Sequence, residues 1–345
     1  MMGHYVGIDV GLRSSSLCII DEQGKVCLER EVASEIEAIA DAVRGFAEHV
    51  DGVALETGNL TPWLTAGLRA EGFRVVVMEA RQVKTTLSSL RNKTDRNDAR
   101  GIAQILRTGW YREVHVKSLE SQRLKTLLAA RKALLRRRID LENEVRGLLK
   151  VYGFKLPAQI YHARFDDMAR QAVMADPALA EALGPLLDAR GHLYRAFLEI
   201  DKRVRSIAHD DPICQLLMSA PGIGFIAALT FKAAVDDPKR FRRSKTVAAH
   251  FGLTPRRYQS GEKDNPGHIS KAGDVEVRSA MFLAANTIMN GRGKPSSLRS
   301  FGARLARRKG RKRAMVAVAR KLAVVLHAMW TDGTLFCNVE KEALA

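Results

Sequence analysis

Apolar and polar residues alternate in short blocks over the first 80 residues, and these blocks predict an ordered series of strands and helices. Apolar runs bounded by turn residues such as Gly11 and Gly24 indicate strands. Thr61 followed by Pro62 is typical of a helix start, and Gly72 is typical of a helix end. The predicted strands are 5–10, 15–20, 25–32, 52–56 and 75–78, and the predicted helices are about 35–49 and 61–71.

This order of elements predicts the fold class of the N-terminal region. Three successive strands are followed by alternating helices and strands, and a further helix follows the last strand. Such an order is typical of a ribonuclease-H-like mixed sheet with helices on its faces. We therefore expect an α/β domain over 1–112.

Four acidic residues are candidate metal ligands in this domain. Asp9 interrupts one apolar run, Glu56 ends another, and Asp95 and Asp98 are spaced to share one face of a helix. A charge in a buried strand is costly unless it is paired or bound to metal, and oxygen donors suit Mg²⁺ or Mn²⁺. Each acid taken alone could instead be an ordinary strand-end or helix-cap residue.

Beyond Trp110 the pattern becomes helical and strongly basic, which predicts a helical middle region over 113–208. One stripe has the seven-residue spacing of a coiled coil, with arginines at two further seam positions that could instead face nucleic acid. A second stripe has the spacing needed to pack back on the first, so an intrachain hairpin and intermolecular assembly both remain open. The first stripe contains Leu124, Leu127, Leu134, Leu141, Val145, Leu148 and Tyr152, the arginines are Arg131 and Arg138, and the second contains Leu186, Leu193, Phe197, Ile200, Val204 and Ile207.

The remaining residues, 209–345, predict a mainly helical domain with two candidate phosphate-binding features. Gly222 and Gly224 lie between apolar helical stretches, as in a helix-hairpin-helix whose backbone N–H groups face a DNA phosphate, although a plain turn gives the same pattern. Residues 292–321 contain twelve Lys and Arg and no acid, which indicates either a phosphate-binding surface or a solvated face.

Ser260 is a candidate nucleophile, because it precedes Gly261 and lies close in sequence to basic residues that could neutralise a phosphate. On sequence alone the Ser-Gly pair is more typical of a turn than of a nucleophile. The nearby basic residues are Arg256, Arg257 and Lys271.

Charge is distributed unevenly along the chain. The net charge is +18 over 345 residues, yet residues 1–112 have a net charge of −1 and the rest have +19. This charge predicts a polyanionic partner for the second part.

Cysteine spacing and apolar stretches indicate the setting of the protein. The four cysteines have no metal-site or disulfide spacing, so we expect a reduced, cytoplasmic setting. The apolar stretch 314–330 contains Arg320 and Lys321, so we expect no membrane span.

Six motifs, in register over nearly the whole chain, resemble the DEDD transposases of the insertion-sequence "one-ten" family, the bridge-RNA-guided recombinases. They are Gly7-Ile8-Asp9, Glu56-Thr57-Gly58, Arg91-Asn92-Lys93-Thr94-Asp95 through Asp98-Ala99-Arg100, Pro221-Gly222-Ile223-Gly224, Gly252-Leu253-Thr254-Pro255-Arg256 with Ser260-Gly261, and Ile269-Ser270-Lys271.

The resemblance implies a RuvC-like domain with Asp9, Glu56, Asp95 and Asp98 as its acids, a coiled-coil middle and a C-terminal transposase domain with Ser260 as the catalytic serine. It also implies a covalent serine–DNA intermediate, a guide RNA that pairs with donor and target DNA, and a dimeric or tetrameric protein that associates with the prokaryotic nucleoid when bound. The expected nucleic-acid contacts are Arg91, Lys93, Gly222, Gly224, Arg256, Arg257, Lys271, Arg307, Arg308, Lys309, Arg311, Lys312 and Arg313.

Three other functions remain as alternatives. A RuvC-like resolvase would use only the four acids and would leave Ser260 without a role. A non-enzymatic nucleic-acid-binding protein would make the acids incidental. An actin-like sugar kinase or ATPase would need further glycine-rich nucleotide loops, which the sequence does not show, and would leave the basic half unexplained.

Overall fold

The computed structural model divides the chain into two compact units, Met1–Lys117 and Ser118–Ala345. It describes residues 3–46, 49–88, 92, 94–158, 160, 162–260, 263–291 and 296–338, without the side chains of 163, 257–260 and 263–266. The predicted contacts Arg91 and Lys93 lie outside the described residues.

A five-stranded mixed sheet forms the centre of the first unit, in the order β3-β2-β1-β4-β5. The first three strands pair antiparallel, whereas β1 with β4 and β4 with β5 pair parallel. The five predicted strands are thereby confirmed to within a residue at each end. The strands are β1 Tyr5–Val10, β2 Ser14–Ile20, β3 Val26–Ala33, β4 Gly52–Glu56 and β5 Val75–Met78.

Two helices cover one face of this sheet, α1 Ile36–Arg44 and α2 Thr61–Ala70. The first ends earlier than the predicted residue 49. Thr61 lies inside the second helix and is not its cap: its hydroxyl donates to the Glu56 carbonyl oxygen (2.9 Å) and accepts from the Gly58 amide (2.7 Å). Thr61 therefore ties the start of α2 to the end of β4.

The opposite face of the sheet packs against α4 Asp95–Thr108, which follows the short helix α3 Ala80–Leu87. Thr94 caps α4 by accepting a hydrogen bond from the Asn97 amide at 3.2 Å, and Gly109 ends it in the left-handed conformation. The predicted shared helix for Asp95 and Asp98 is confirmed.

In the second unit, α5 Leu119–Val151 and α7 Pro177–Asp210 form an intrachain antiparallel hairpin, with α6 Phe165–Val173 at its far end. The buried stripe of α5 differs from the predicted heptad: Leu148 and Tyr152 are exposed, whereas Arg138 and Glu142 are buried. Arg138 is 2% exposed and stacks near the rings of Tyr194 and Phe197.

Arg131 also faces the hairpin, because it donates to Asp201 of α7 at 2.6 Å. The suggestion that Arg131 and Arg138 point at nucleic acid is therefore wrong. Their long apolar stems and planar charged groups pack against aromatic rings inside the hairpin.

The base of the hairpin shares a core with the C-terminal helices. Leu124 of α5 and Val204 of α7 belong to the same buried cluster as Leu229 and Leu322. The helical middle and the C-terminal region thus form one unit. The further helices are α8 Pro212–Met218, α9 Phe225–Val235, α10 Ser244–His250, α11 Val275–Met289, α12 Ser297–Lys309 and α13 Arg311–Asp332.

One helix among the described residues, α13, has the length and apolar composition of a membrane span, and half of its most apolar stretch is buried in the protein. It packs against α10, α11 and α12. This packing is that of a core helix, as the sequence predicted.

A strand hairpin interrupts the helices of the second unit, with β6 Pro255–Ser260 paired antiparallel to β7 Lys263–Ile269. The prediction of a mainly helical C-terminal region did not include these strands, because their residues are mostly polar and give no apolar alternation.

Candidate active site

Two of the predicted metal ligands lie side by side at one edge of the sheet. Ile8 of β1 pairs with Leu55 of β4 in parallel register, so the next residues along the strands, Asp9 and Glu56, are neighbours. Both side chains are half-buried. Ile8 and Leu55 pack into the core beneath α1 and α2, and because successive side chains alternate, Asp9 and Glu56 belong to the opposite face, where α4 lies.

Helix α4 brings the other two acids to the same edge. Leu106, near the end of α4, lies beside Gly52 at the start of β4, whereas Ala99, one turn from the helix start, lies over Gly7. The helix therefore runs antiparallel to β1 and β4, and its first turn is directed toward Asp9 and Glu56. Asp98 is half-buried and Asp95 is exposed.

Gly7 allows α4 to approach the sheet this closely. A Cβ atom at position 7 would lie 2.2 Å from the Ala99 carbonyl oxygen and 2.4 Å from the Ala103 amide nitrogen. Arg100 fixes the helix from its other side by donating two hydrogen bonds, at 2.7 and 3.0 Å, to the Glu29 carboxylate on β3. The position of the acids thus depends on Gly7 and Arg100, which are not candidate metal ligands themselves.

The donor set fits a hard divalent cation, since all four side chains offer carboxylate oxygens. Within the described residues, no group of three or more His, Cys, Asp or Glu side chains is spaced to hold a metal ion. The four acids thus share an edge of the sheet without forming a closed set of ligands.

The cysteines do not offer an alternative nucleophile at this edge. Cys18, beneath α4, is buried, and burial together with the Glu29 carboxylate raises the pKa of its thiol to about 11. Burial raises the pKa of Cys214 to about 12. The four cysteines are free.

Ser260 lies at the far end of the strand hairpin, where it pairs with Lys263. Its side chain and that of Arg257 are outside the described residues, as are Gly261 and Glu262. Arg256 is exposed and donates to the Ser270 carbonyl oxygen at 3.2 Å. Lys271 is exposed, with a positive φ of 54°, at the root of the hairpin.

The predicted phosphate turn at Gly222 and Gly224 joins α8 to α9, and both glycines are exposed. Gly222 has a φ of 76°, and a Cβ atom there would lie 2.7 Å from the Ala284 carbonyl oxygen of α11. Packing within the protein therefore requires glycine at 222, which is a reason different from the predicted approach of DNA. Gly224 precedes the first turn of α9 with open space around it.

The six central basic residues of the acid-free stretch cluster where α12 meets α13. Each is exposed, and among the described residues none forms an ion pair with a carboxylate. From Ser297 the stretch is helical on both sides of a break at Gly310, so it presents an ordered cationic surface. These residues, called the basic corner below, are Arg307, Arg308, Lys309, Arg311, Lys312 and Arg313.

Sequence reasoning missed Arg278, in the first turn of α11. Its guanidinium contacts the backbone at the root of the strand hairpin that carries Ser260. A lone arginine in a helical stretch gives no sequence signal, because only the folded backbone shows which carbonyl groups it reaches.

Comparison with known proteins adds independent findings. A family model for DEDD transposases, described as "Transposase", matches residues 6–154, and a second, described as "Transposase IS116/IS110/IS902 family", matches residues 214–300. The chain is 31% identical to the transposase for insertion sequence element IS1111A of Coxiella burnetii, over 94% of this chain and 89% of that protein. It is 28% identical to a probable family 20 transposase of Pseudomonas aeruginosa, over 82% of this chain and 85% of that protein.

Proposed function

The chain belongs to the IS116/IS110/IS902 family of transposases, and from this membership we propose that it exchanges DNA strands. The reaction would use both Ser260 and the acid-bearing edge, which is the edge of the sheet where Asp9, Glu56, Asp95 and Asp98 lie. As a DNA transposase it is an enzyme, and DNA is its expected substrate. The observation that carries the proposal is the convergence of β1, β4 and the first turn of α4 on one edge, with an acid at each position.

In this proposal, Asp9, Glu56, Asp95 and Asp98 hold divalent metal, Mg²⁺ or Mn²⁺. Bound metal would supply charge neutralisation at the scissile phosphate and so lower the cost of negative charge in the transition state. The chain itself would supply rigidity: Gly7 lets α4 approach, and Arg100 holds it against β3. Preorganised ligands lose little freedom when metal and phosphate bind.

Ser260 is proposed as the nucleophile. Its Oγ would form a bond to the DNA phosphorus as the bond from phosphorus to a deoxyribose oxygen breaks, and the proton lost by the serine would be returned to the departing oxygen. A deoxyribose hydroxyl of the exchanged strand would then attack the same phosphorus, release Ser260 and restore its proton. Arg256, Arg257 and Lys271 would neutralise charge on the phosphate.

A guide RNA is proposed to choose the donor and target DNA, with the protein acting as a dimer or tetramer in the cytoplasm. The support is family membership together with the +19 charge of residues 113–345, which suits a large nucleic-acid partner. The predicted nucleic-acid contacts at Gly222, Gly224, Arg91, Lys93 and the basic corner belong to the same proposal. RNA recovered with the purified protein should map beside its own gene, and changing the pairing bases of that RNA should redirect the reaction.

A resolvase that hydrolyses DNA with the acids alone is the second candidate. The observation that favours it is that the acid-bearing edge is assembled entirely within the first unit, whereas Ser260 lies in the second. The two candidates differ in the cutting group, and both require the acids.

Single substitutions at the acids test what the two candidates share. Asp9→Asn and Asp98→Asn should reduce strand cleavage by about a hundredfold or more, since each removes charge from the metal ligands. Both variants should fold normally and bind Mn²⁺ more weakly by calorimetry. Asp41→Asn, at an exposed position of α1, is the matched control and should cleave normally. Full activity of either acid variant, or of the wild type in chelator, would contradict the metal assignment.

A further inference from the structure

The root of the Ser260 hairpin is a close crossing of two backbone segments, 251–254 and 270–274. Gly252 and Gly273 have φ values of 67° and 70°. A Cβ atom at Gly252 would lie 2.3 Å from the Ala272 amide nitrogen, and one at Gly273 would lie 2.2 Å from the His250 carbonyl oxygen. The segments are joined by hydrogen bonds from Ser270 to Thr254 (2.8 Å) and from Lys271 to Gly252 (3.1 Å).

Arg278 connects both segments through one nitrogen. Its Nη1 lies 2.5 Å from the Ala272 carbonyl oxygen and 3.1 Å from that of Gly273, and the carbonyl oxygens of Asp274 and Phe251 are each at 3.3 Å. Phe251 belongs to the incoming segment and the other three to the outgoing one. Since Nη1 has only two hydrogens, it shares them among four acceptors, and the positive charge strengthens each contact.

Arg278 itself is held by a fixed helix. Asp274 caps α11 by accepting hydrogen bonds from the Glu276 and Val277 amides, and it accepts another from Lys125 of α5 at 3.0 Å. Lys132 of α5 donates to Glu276 at 2.6 Å. The start of α11, which carries Arg278, is therefore attached to α5 of the long helical hairpin.

We propose that Arg278 is a positioning residue for Ser260: it fixes the direction in which the strand hairpin leaves the domain and thereby where the serine is presented. The inference rests on the proposed nucleophilic role of Ser260. Ser260 is five residue steps along β6 from Pro255, which at about 3.4 Å per step places the serine about 17 Å from the root. A tilt of about 5° at the root then moves it by about 1.5 Å.

Such a displacement is large for catalysis, because an error of about 1 Å in a reacting group can reduce the rate about a hundredfold. Lysine cannot substitute for Arg278 in this role. Its ammonium group is a compact, strongly hydrated charge on a flexible four-carbon stem, so it is not held at one place among the four carbonyl oxygens as Nη1 of the rigid, planar guanidinium is. The positioning role therefore predicts loss of reaction rate in Arg278→Lys even though the positive charge is kept.

The experiment measures the rate at which Ser260 becomes covalently attached to a suicide DNA substrate. The substrate is saturating and the guide RNA is present. Arg278→Lys and Arg278→Ala should attach about a hundredfold more slowly than the wild type, with DNA affinity and melting temperature little changed. Methylguanidinium should partly restore Arg278→Ala and should not restore Ser260→Ala. The matched controls, Arg123→Lys and Arg123→Ala, change an exposed arginine of α5 and should attach at the wild-type rate.

The possible failures are distinguishable. If both Arg278 variants attach DNA at the wild-type rate, the inference is wrong while the role of Ser260 stands. If attachment falls only in proportion to a weaker DNA affinity or a smaller folded fraction, Arg278 is structural and the inference is equally wrong. If the wild type forms no Ser260 adduct at all, the proposed function fails first and the inference fails with it.

Discussion

Gly7 and Asp9 lie two residues apart on β1 and have different roles in the candidate site. Both lie on the sheet face covered by α4, but residue 7 lies under the helix and residue 9 lies two residues further along β1, in the direction of the helix start. The absence of a side chain at 7 lets the helix come close enough for its acids to reach the edge where Asp9 lies. A residue without functional groups thus determines the geometry of the charged ones.

The first prediction concerns this close approach. Gly7→Ala should destabilise the first unit by about 1–3 kcal/mol, because the new methyl group meets helix backbone that cannot move aside. Strand cleavage should fall with it. Gly147→Ala is the matched control: it lies in α5 with open space around it and should stabilise its helix by about 0.5–1 kcal/mol. Urea unfolding measures both, and equal stability of Gly7→Ala and wild type would contradict the close approach.

At the scale of elements, the hairpin of α5 and α7 is held together by buried charge as well as by apolar packing. Arg190 is 0% exposed, and it donates to Glu142 at 2.6 and 3.0 Å and to Asp166 at 3.1 Å. Its guanidinium also lies near the rings of Phe165 and Tyr194. One arginine therefore joins α5, α6 and α7.

The second prediction follows from the cost of leaving buried carboxylates without their partner. Arg190→Ala should destabilise the second unit by about 3–5 kcal/mol, as removal of one member of a buried pair does. Arg195→Ala, five residues further along α7 at an exposed position, should change stability by less than about 0.5 kcal/mol. Chemical denaturation of both variants gives the comparison, and similar values for the two would show that the cluster contributes little.

The sequence predicted the first unit well because its strands are apolar runs and its helices carry clear end signals. The same reasoning failed where charged residues are buried: Arg138 and Glu142 occupy the hairpin interior, which shifts the buried stripe away from the leucine heptad. It also failed for β6 and β7, whose mostly polar residues give no apolar alternation and which leave the domain from the close crossing at Gly252 and Gly273. The places of the four acids at strand ends and at a helix start could be predicted from the sequence, but their common edge required the direction of α4.

At the scale of the whole molecule, the four candidate metal ligands and the exposed cationic surface lie in different parts of the sequence. The nearly neutral first region holds the four acids, and the strongly basic remainder holds the basic corner and the Ser260 hairpin. Lys and Arg that bind phosphates release counterions, so the number of neutralised phosphates can be measured from the salt dependence of binding.

The third prediction uses that dependence. Replacing Arg308, Lys309, Arg311 and Lys312 with alanine should weaken duplex binding at every sequence and lower the slope of log affinity against log salt by about 0.9 for each phosphate that is no longer neutralised. The matched control replaces four exposed residues of the helical hairpin with alanine and removes the same charge: Arg123, Lys150, Lys202 and Arg203. An unchanged slope in the first variant, or the same change in both, would contradict a specific role for the basic corner.

The central claim is that Ser260 attacks the DNA phosphate and needs the acid-bearing edge to do so. The most direct measurement is the covalent protein–DNA adduct formed with guide RNA and a suicide substrate, separated under denaturing conditions and mapped by mass spectrometry. The adduct should lie on Ser260 and be absent in both Ser260→Ala and Asp98→Asn. Normal cleavage with free DNA ends by Ser260→Ala, or an adduct on another residue, would contradict the claim and leave a resolvase that uses the four acids alone.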